Sequence, residues 1–390
     1  MNRTYKTLIV CTFGALVSIA TVFAGNRDRS GQAGAQHLLV DPWARTNGWA
    51  NAGVAEIRGL ESMFANIAGM SFVEKTEFGF NHARYLTGFH GTGSGISINS
   101  FGLAQALYKR DKDTKAKIKD YGVIGISFFS MSFGKIAITT VDQPEGGLGF
   151  YSPNMITIGV HYAKSFNDFI HGGVSVKIVN ESVADVSSTG VAIDAGVQYL
   201  AGPYKNFKIG VALKNIGLPL RFKGDGLSVR GNTNSNDYQV TLDARSEKYE
   251  IPTLLAIGVS YDFLIFTGEY KDWSKEDKQA FGLTRDDAAH RITLAGSFTA
   301  NSYSRDIFAL GIEYGFMSYF MVRAGYNFEA GMFKPDTRDT WYSGPSAGLT
   351  VAIPLTKKNS ALHSKLFLDY AYRFTYQWKG NHYIGIKLAL

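Results

Sequence analysis

A dyad repeat runs through most of the chain. Ile156, Ile158, Val160 and Tyr162 alternate with Thr157, Gly159 and His161. Val191, Ile193, Ala195, Val197 and Tyr199 alternate with Ala192, Asp194, Gly196 and Gln198. The last residues repeat it, with Ile384, Ile386, Leu388 and Leu390 around Gly385, Lys387 and Ala389. Period two means extended strands with one apolar and one polar face. Segments of about ten residues are long enough for a tilted strand to cross a bilayer. The repeat therefore points to an all-β, transmembrane antiparallel barrel with its apolar faces outward.

The alternation predicts fourteen strands, at about 74–85, 95–107, 121–133, 155–164, 171–180, 189–200, 207–215, 253–262, 264–272, 306–315, 319–328, 345–354, 364–374 and 382–390. Lys135–Thr140 and His290–Ala300 also alternate. They read as strand extensions, or as an added hairpin that would make sixteen strands. Connections at Ser165–Phe169, Ala201–Asn206, Asp262-Phe263 and Phe316–Ser318 read as short. Those at Ile216–Pro252, Asp272–Arg305 and Ala330–Gly344 read as long. Sorting of short turns from long loops is the habit of outer-membrane barrels. Lys109–Asp120 and Pro354–Ser364 are long for turns.

Glu269, Lys271, Glu313, Arg323, Lys365, Asp369, Arg373 and Lys387 fall on polar faces of different strands. Charge on a lipid face costs about 2–4 kcal/mol near the midplane, so these side chains are expected in the lumen. The apolar faces carry Phe, Tyr, Leu, Ile and Val on almost every strand, more than a small closed barrel holds inside.

Residues 1–24 read as a signal peptide, with Arg3 and Lys6 before an apolar stretch and Val22-Phe23-Ala24 at its end. The single cysteine, Cys11, lies in that stretch, so the remaining chain has no disulfide. The formal net charge of +7 falls to +5 without Arg3 and Lys6, too mild for a nucleic-acid partner. Residues 25–36 read as a loose, polar and Gly-rich stretch and 37–73 as short helices and turns, together a segment, 25–73, distinct from the barrel over 74–390.

Catalytic motifs are weak. Gly344-Pro345-Ser346-Ala347-Gly348 has nucleophile-elbow spacing, but it enters a strand and a proline precedes the serine. Gly91-Thr92-Gly93-Ser94-Gly95 lacks the Gly-Lys-Ser/Thr of a phosphate loop. The eight histidines are scattered without metal-ligand spacing. No catalytic, cofactor-binding or metal-binding residue is assigned, and no enzyme is expected.

One N-terminal stretch carries a family signal. His37-Leu38-Leu39-Val40-Asp41-Pro42-Trp43-Ala44-Arg45 leads to Gly48-Trp49-Ala50-Asn51-Ala52-Gly53-Val54-Ala55 and then to Asn66-Ile67-Ala68-Gly69-Met70. Together with Ser188–Gly196 and Lys208–Gly217, this resembles the PorV/PorQ family, a branch of the FadL-like outer-membrane barrels. Ile67 stands where the family's turn usually has proline, and Leu390 where a terminal Phe is common.

The resemblance implies a fourteen-stranded barrel with residues before Glu74 folded inward as a hatch. Asn66, Ala68 and Gly69 would then be structural hatch-motif residues. It implies an outer-membrane location, in Bacteroidota, and a part in type IX protein secretion. The implied partners are outer-membrane lipids, a SprA-type translocon, a PorU-type attachment complex and secreted cargo. The other reading is a FadL-like transporter of hydrophobic small molecules. Its motivation is the apolar hatch residues Leu60, Met63, Phe64, Ile67 and Met70.

Overall fold

The structure is a computed structural model. It describes residues 25–87, 96–110, 117–232, 239–271, 273–274, 277–278, 283, 285–355 and 364–390. The signal-peptide reading and the Gly91–Gly95 loop lie outside those residues.

Fourteen antiparallel strands close into a barrel in sequence order. They are β1 Thr76–Tyr85, β2 Ile96–Arg110, β3 Lys117–Ser132, β4 Asn154–Ser165, β5 Ile170–Val183, β6 Val186–Ala201 and β7 Phe207–Gly217. They continue with β8 Leu254–Ile265, β9 His290–Asn301, β10 Ile307–Phe316, β11 Phe320–Glu329, β12 Tyr342–Pro354, β13 Lys365–Thr375 and β14 Asn381–Ala389. The seam pairs Phe80 with Ile386 and Gly79 with Lys387. Closure leaves no unpaired edge, the condition for a sheet in lipid. With an even strand number, β1 starts and β14 ends at the same rim, here called the turn end.

The wall turns its apolar face outward. Ile126, Val160, Ile178 and Leu310 are 51%, 63%, 52% and 69% exposed. Their strand neighbours Ser127, His161 and Lys177 are buried. Tyr121, Tyr162, Tyr199, Tyr261, Phe263, Tyr314 and Phe316 are exposed at the turn-end rim. This is the aromatic girdle of a membrane interface. Among the described residues no helix is long and apolar enough to cross a membrane; the crossing is made by strands.

Two sequence expectations fail together. The expected strand at 264–272 is absent: Leu264 and Ile265 end β8, residues 266–271 are not a strand, and His290–Asn301 is the wall strand instead. Asp262-Phe263 is not a turn. Strand β8 runs straight through it, with Asp262 buried and Phe263 48% exposed. A lumen-facing carboxylate had the look of a turn residue. Past Ile265, Gly268 adopts a φ of +68° and the pairing ends. Glu269 and Lys271 therefore lie in the turn-end connection, not on a strand. Glu313, Arg323, Asp369, Arg373 and Lys387 are buried in the lumen, and Lys365 shares the inward parity of Asp369 and Arg373.

The sorting of connections is also only partial. At the turn end the described residues between β8 and β9 pack Phe266, Leu283 and Ala288 against Tyr204 and Leu264. At the other rim, the loop end, β5 and β6 are joined by Ala184-Asp185 alone. The alternating Lys135–Thr140 segment contributes to a small hairpin, Ile136–Ala137 with Phe150–Tyr151, outside the barrel. The strand number is thus fourteen, not sixteen. Between β7 and β8 two further strand pairs form, Leu220–Arg221 with Lys248–Tyr249 and Ser228–Asn232 with Gln239–Asp243.

Candidate functional site

The lumen is filled by the chain that precedes β1. Residues 36–72 form 3-10 turns and one short helix, Ala44–Gly48. Short turns bend often enough to follow a barrel interior, which a long helix would not. Trp43, Trp49, Leu60, Met63, Ile67 and Met70 are each at most 3% exposed. Of the apolar residues that suggested a ligand, all but Phe64 are packed as core. Phe64 is only half-buried.

Inner-wall glycines let the plug lie against the strands. A Cβ on Gly325 would stand 2.4 Å from the Trp49 carbonyl carbon, and one on Gly210 2.5 Å from the Val54 oxygen. Only glycine permits that backbone approach. Asn66 joins the plug to β6. Its Nδ2 donates to Val54 O at 3.0 Å and Val197 O at 3.2 Å, and its Oδ1 accepts from Ala68 N at 3.2 Å. Ala68 is fully buried, and a Cβ on Gly69 would stand 2.2 Å from Ile57 O. Truncation of Asn66 to Ala should cost about 1–3 kcal/mol, the penalty for orphaned buried polar groups. The urea midpoint of the purified protein should fall, and trypsin should cut sooner at Arg58.

Charges bolt the plug to the wall. Glu56 pairs with Lys208 of β7 and with Arg285, which enters from the turn-end segment. Lys208 also meets Asp262 of β8 at 2.6 Å, and Asp262 accepts from Thr293 at 2.6 Å. Glu313 of β10 lies 2.5 Å from both Arg291 and Arg323. A second bolt joins Glu61 of the plug to Lys387 of β14 at 2.8 Å. Burial pushes the Glu56 carboxyl up, but Arg285 and Lys208 outweigh it and hold the group well below the usual carboxylate range.

Asp41 differs. Burial pushes it up to about 6 against the opposing pull of Lys214, from an ordinary 3.8. The folded state then holds the Asp41 proton more tightly than the unfolded chain does. Its contribution is complete below pH 3.8 and is lost as pH rises through 6. Asp41→Asn should therefore stabilise the protein at pH 7.5 by roughly 2–3 kcal/mol and flatten the pH dependence of unfolding between about pH 4 and 6. The Asn oxygen can keep the 2.9 Å bond from Trp43 N.

Two cavities meet at the plug. A vestibule of about 460 Å³ opens at the loop end, floored by Val40, Asp41, Ala50 and Asn51 and walled by Tyr85, Tyr303, Glu329, Trp341, Tyr342 and Arg373. Below it lies a cleft of about 20 Å³ lined by His37, Leu38, Val40, Phe64, Phe129, Thr157, Lys177 and Lys214. Val40 lines both. At rest the cleft has room for about one water.

Most polar groups of the cleft are already partnered, while His37 Nδ1 makes no hydrogen bond. His37 Nε2 lies 3.1 Å from Thr157 Oγ1, and its Nδ1 lies 3.4 Å from Glu181. Lys177 meets Asp194 at 2.7 Å, and Lys214 donates to Phe64 O. Ser346 of the elbow-like motif is buried and donates to Gly48 O at 3.1 Å, a wall-to-plug contact. Among the described residues no group of three or more His, Cys, Asp or Glu is placed to hold a metal ion. Sequence reading missed Glu56, Lys208 and Arg285. For Lys208 the signal was present, a charge at inward parity on a strand.

No protein-family model and no curated protein matches the chain. Solved structures do. The CymD monoaromatic hydrocarbon channel aligns over 90% of this chain and 97% of its own, with 12% identity and a TM-score of 0.50. A Pseudomonas aeruginosa FadL homologue aligns over 88% and 94%, with 12% identity and a TM-score of 0.46. The P. putida toluene transporter TodX aligns over 87% and 95%, with 12% identity and a TM-score of 0.46. The likeness to CymD concerns the fold, an all-β transmembrane barrel. None of these matches indicates a catalytic family.

Proposed function

We propose that the chain is an outer-membrane barrel of a Gram-negative bacterium that admits a hydrophobic or amphipathic small molecule from outside. The observation that carries this reading is the shared residue Val40. It lines both the open, aromatic-lined vestibule and the cleft beside β3, where Leu38, Phe64 and Phe129 face four polar side chains. Concave, mostly apolar sites with a few polar groups are what small ligands occupy. The CymD match supports the same fold, and CymD is a monoaromatic hydrocarbon channel. In the resting cleft a ligand has no room, so entry requires Phe64 to swing away. Phe64→Ala should widen the cleft and raise uptake of a labelled alkylbenzene by intact cells. Deleting the gene should lower that uptake at least several-fold. Equal uptake by deletion and parent strains would sink the reading.

A second reading rests on the signature at residues 37–70 and on the loop-end hairpins. Val229 and Leu242, cross-strand partners in the outer hairpin, are 54% and 50% exposed. Exposed apolar pairs on protruding loops suit protein docking. In this reading the barrel serves type IX secretion in Bacteroidota, docking a SprA-type translocon, a PorU-type complex or cargo. Co-purification in mild detergent tests it. Normal surface-protein display after deletion, with no barrel partner recovered, would reject it.

A further inference from the structure

The vestibule carries unused acceptors. Arg305 is engaged by Asp339 at 2.6 Å and by Thr337 O at 3.0 Å. Among the described residues no lysine or arginine nitrogen stands at ion-pair distance from Glu329, which is 5% exposed. Asn327 Oδ1 and Asn51 Oδ1 have no hydrogen-bond partner, and Asn327 is 4% exposed. All three residues line the one cavity. Buried acceptors without donors are costly, and a ligand donor would relieve them.

Aromatic surface stands in the same cavity. Trp341 meets Tyr85 edge-to-face at a centroid distance of 6.0 Å and remains 40% exposed. Arg373, the other cation of the lining, lies 3.7 Å over the Tyr342 ring and donates to Asn47 Oδ1 at 3.3 Å. Its Nε also lacks a partner, so a carboxylate is the fair competitor. The acidic side chains Asp41, Glu329 and Asp339 outnumber Arg305 and Arg373 in the lining.

We infer that the vestibule selects an arylalkyl ammonium, an aromatic body with a protonated amine. The ring lies against Trp341 and Tyr85. The ammonium donates to Glu329, Asn327 and Asn51, with charge-assisted bonds to the carboxylate. This deepens the uptake reading, since it gives the first binding step of that route a chemistry.

The test uses the purified full-length barrel in detergent, with calorimetry and intrinsic tryptophan fluorescence. The probes are 2-phenylethylammonium, 3-phenylpropionate and ethylbenzene. The ammonium should bind at least tenfold tighter than either other probe. Glu329→Gln should weaken it at least fivefold and Asn327→Ala about threefold, with fast gel migration confirming that both variants fold. Equal binding of the three probes, tighter binding of the carboxylate, or unchanged affinity in both variants overturns the inference. If Glu329→Gln does not fold, Asn327→Ala and the probe order decide alone. Binding intact with uptake lost from no deletion strain would sink the transport reading and spare this one; absent binding with gene-dependent hydrocarbon uptake would do the reverse.

Discussion

Replacing Glu313 with Met should destabilise the barrel by about 3–5 kcal/mol, the cost of breaking a buried ion pair from one side. Glu313 is fully buried between Arg291 and Arg323, each at 2.5 Å, with Arg285 at 3.7 Å. Its loss strands guanidinium charge inside a membrane protein, where water cannot compensate freely. Urea titration should show the midpoint falling, and the unheated gel should show less of the fast-migrating folded band. Adding Arg323→Met should recover part of the loss, because removing both partners of a buried pair is far milder than removing one. A single variant as stable as the parent would show that this network is not a structural bolt.

The second large effect is at Lys208. Its Nζ meets Glu56 of the plug and Asp262 of the wall. Lys208→Met leaves the two buried carboxylates with Arg285 and the hydroxyls of Ser260 and Thr293, again at a cost of about 3–5 kcal/mol. Here the loss should fall on the plug as well as the wall. Trypsin should reach Arg58 sooner than in Glu313→Met, while barrel migration on gels changes less. The double variant Glu56→Met/Lys208→Met should regain at least half the loss. A double-mutant cycle with no coupling between the two would contradict the bolt.

The wall was legible in the sequence because lipid outside and a polar lumen inside force strict alternation. The failure at 264–272 is instructive. Asp262 was read against water, whereas its real setting is a lumen with Lys208 and Thr293 as partners. A charge on an inward position therefore looked like the end of a strand. The plug was less legible. Asn66 and Gly69 stand in a recognisable turn, yet their work is set by contacts to Val197 and Ile57 that no local pattern announces. Arg285 reaches Glu56 across more than two hundred residues of chain, so nothing near either residue signals the pair. The vestibule likewise forms from the ends of β1, β9, β10, β11, β12 and β13.

On the proposed route a small hydrophobic molecule passes Val40 from the vestibule into the cleft. A crystal of the detergent-purified protein soaked with a brominated alkylbenzene tests it most directly. An anomalous bromine peak is expected between Val40 and Phe129, with Phe64 turned aside, and should be lost in Val40→Trp. Bromine found only on the outer, lipid-facing wall, or a peak in the cleft unchanged by Val40→Trp, would contradict it.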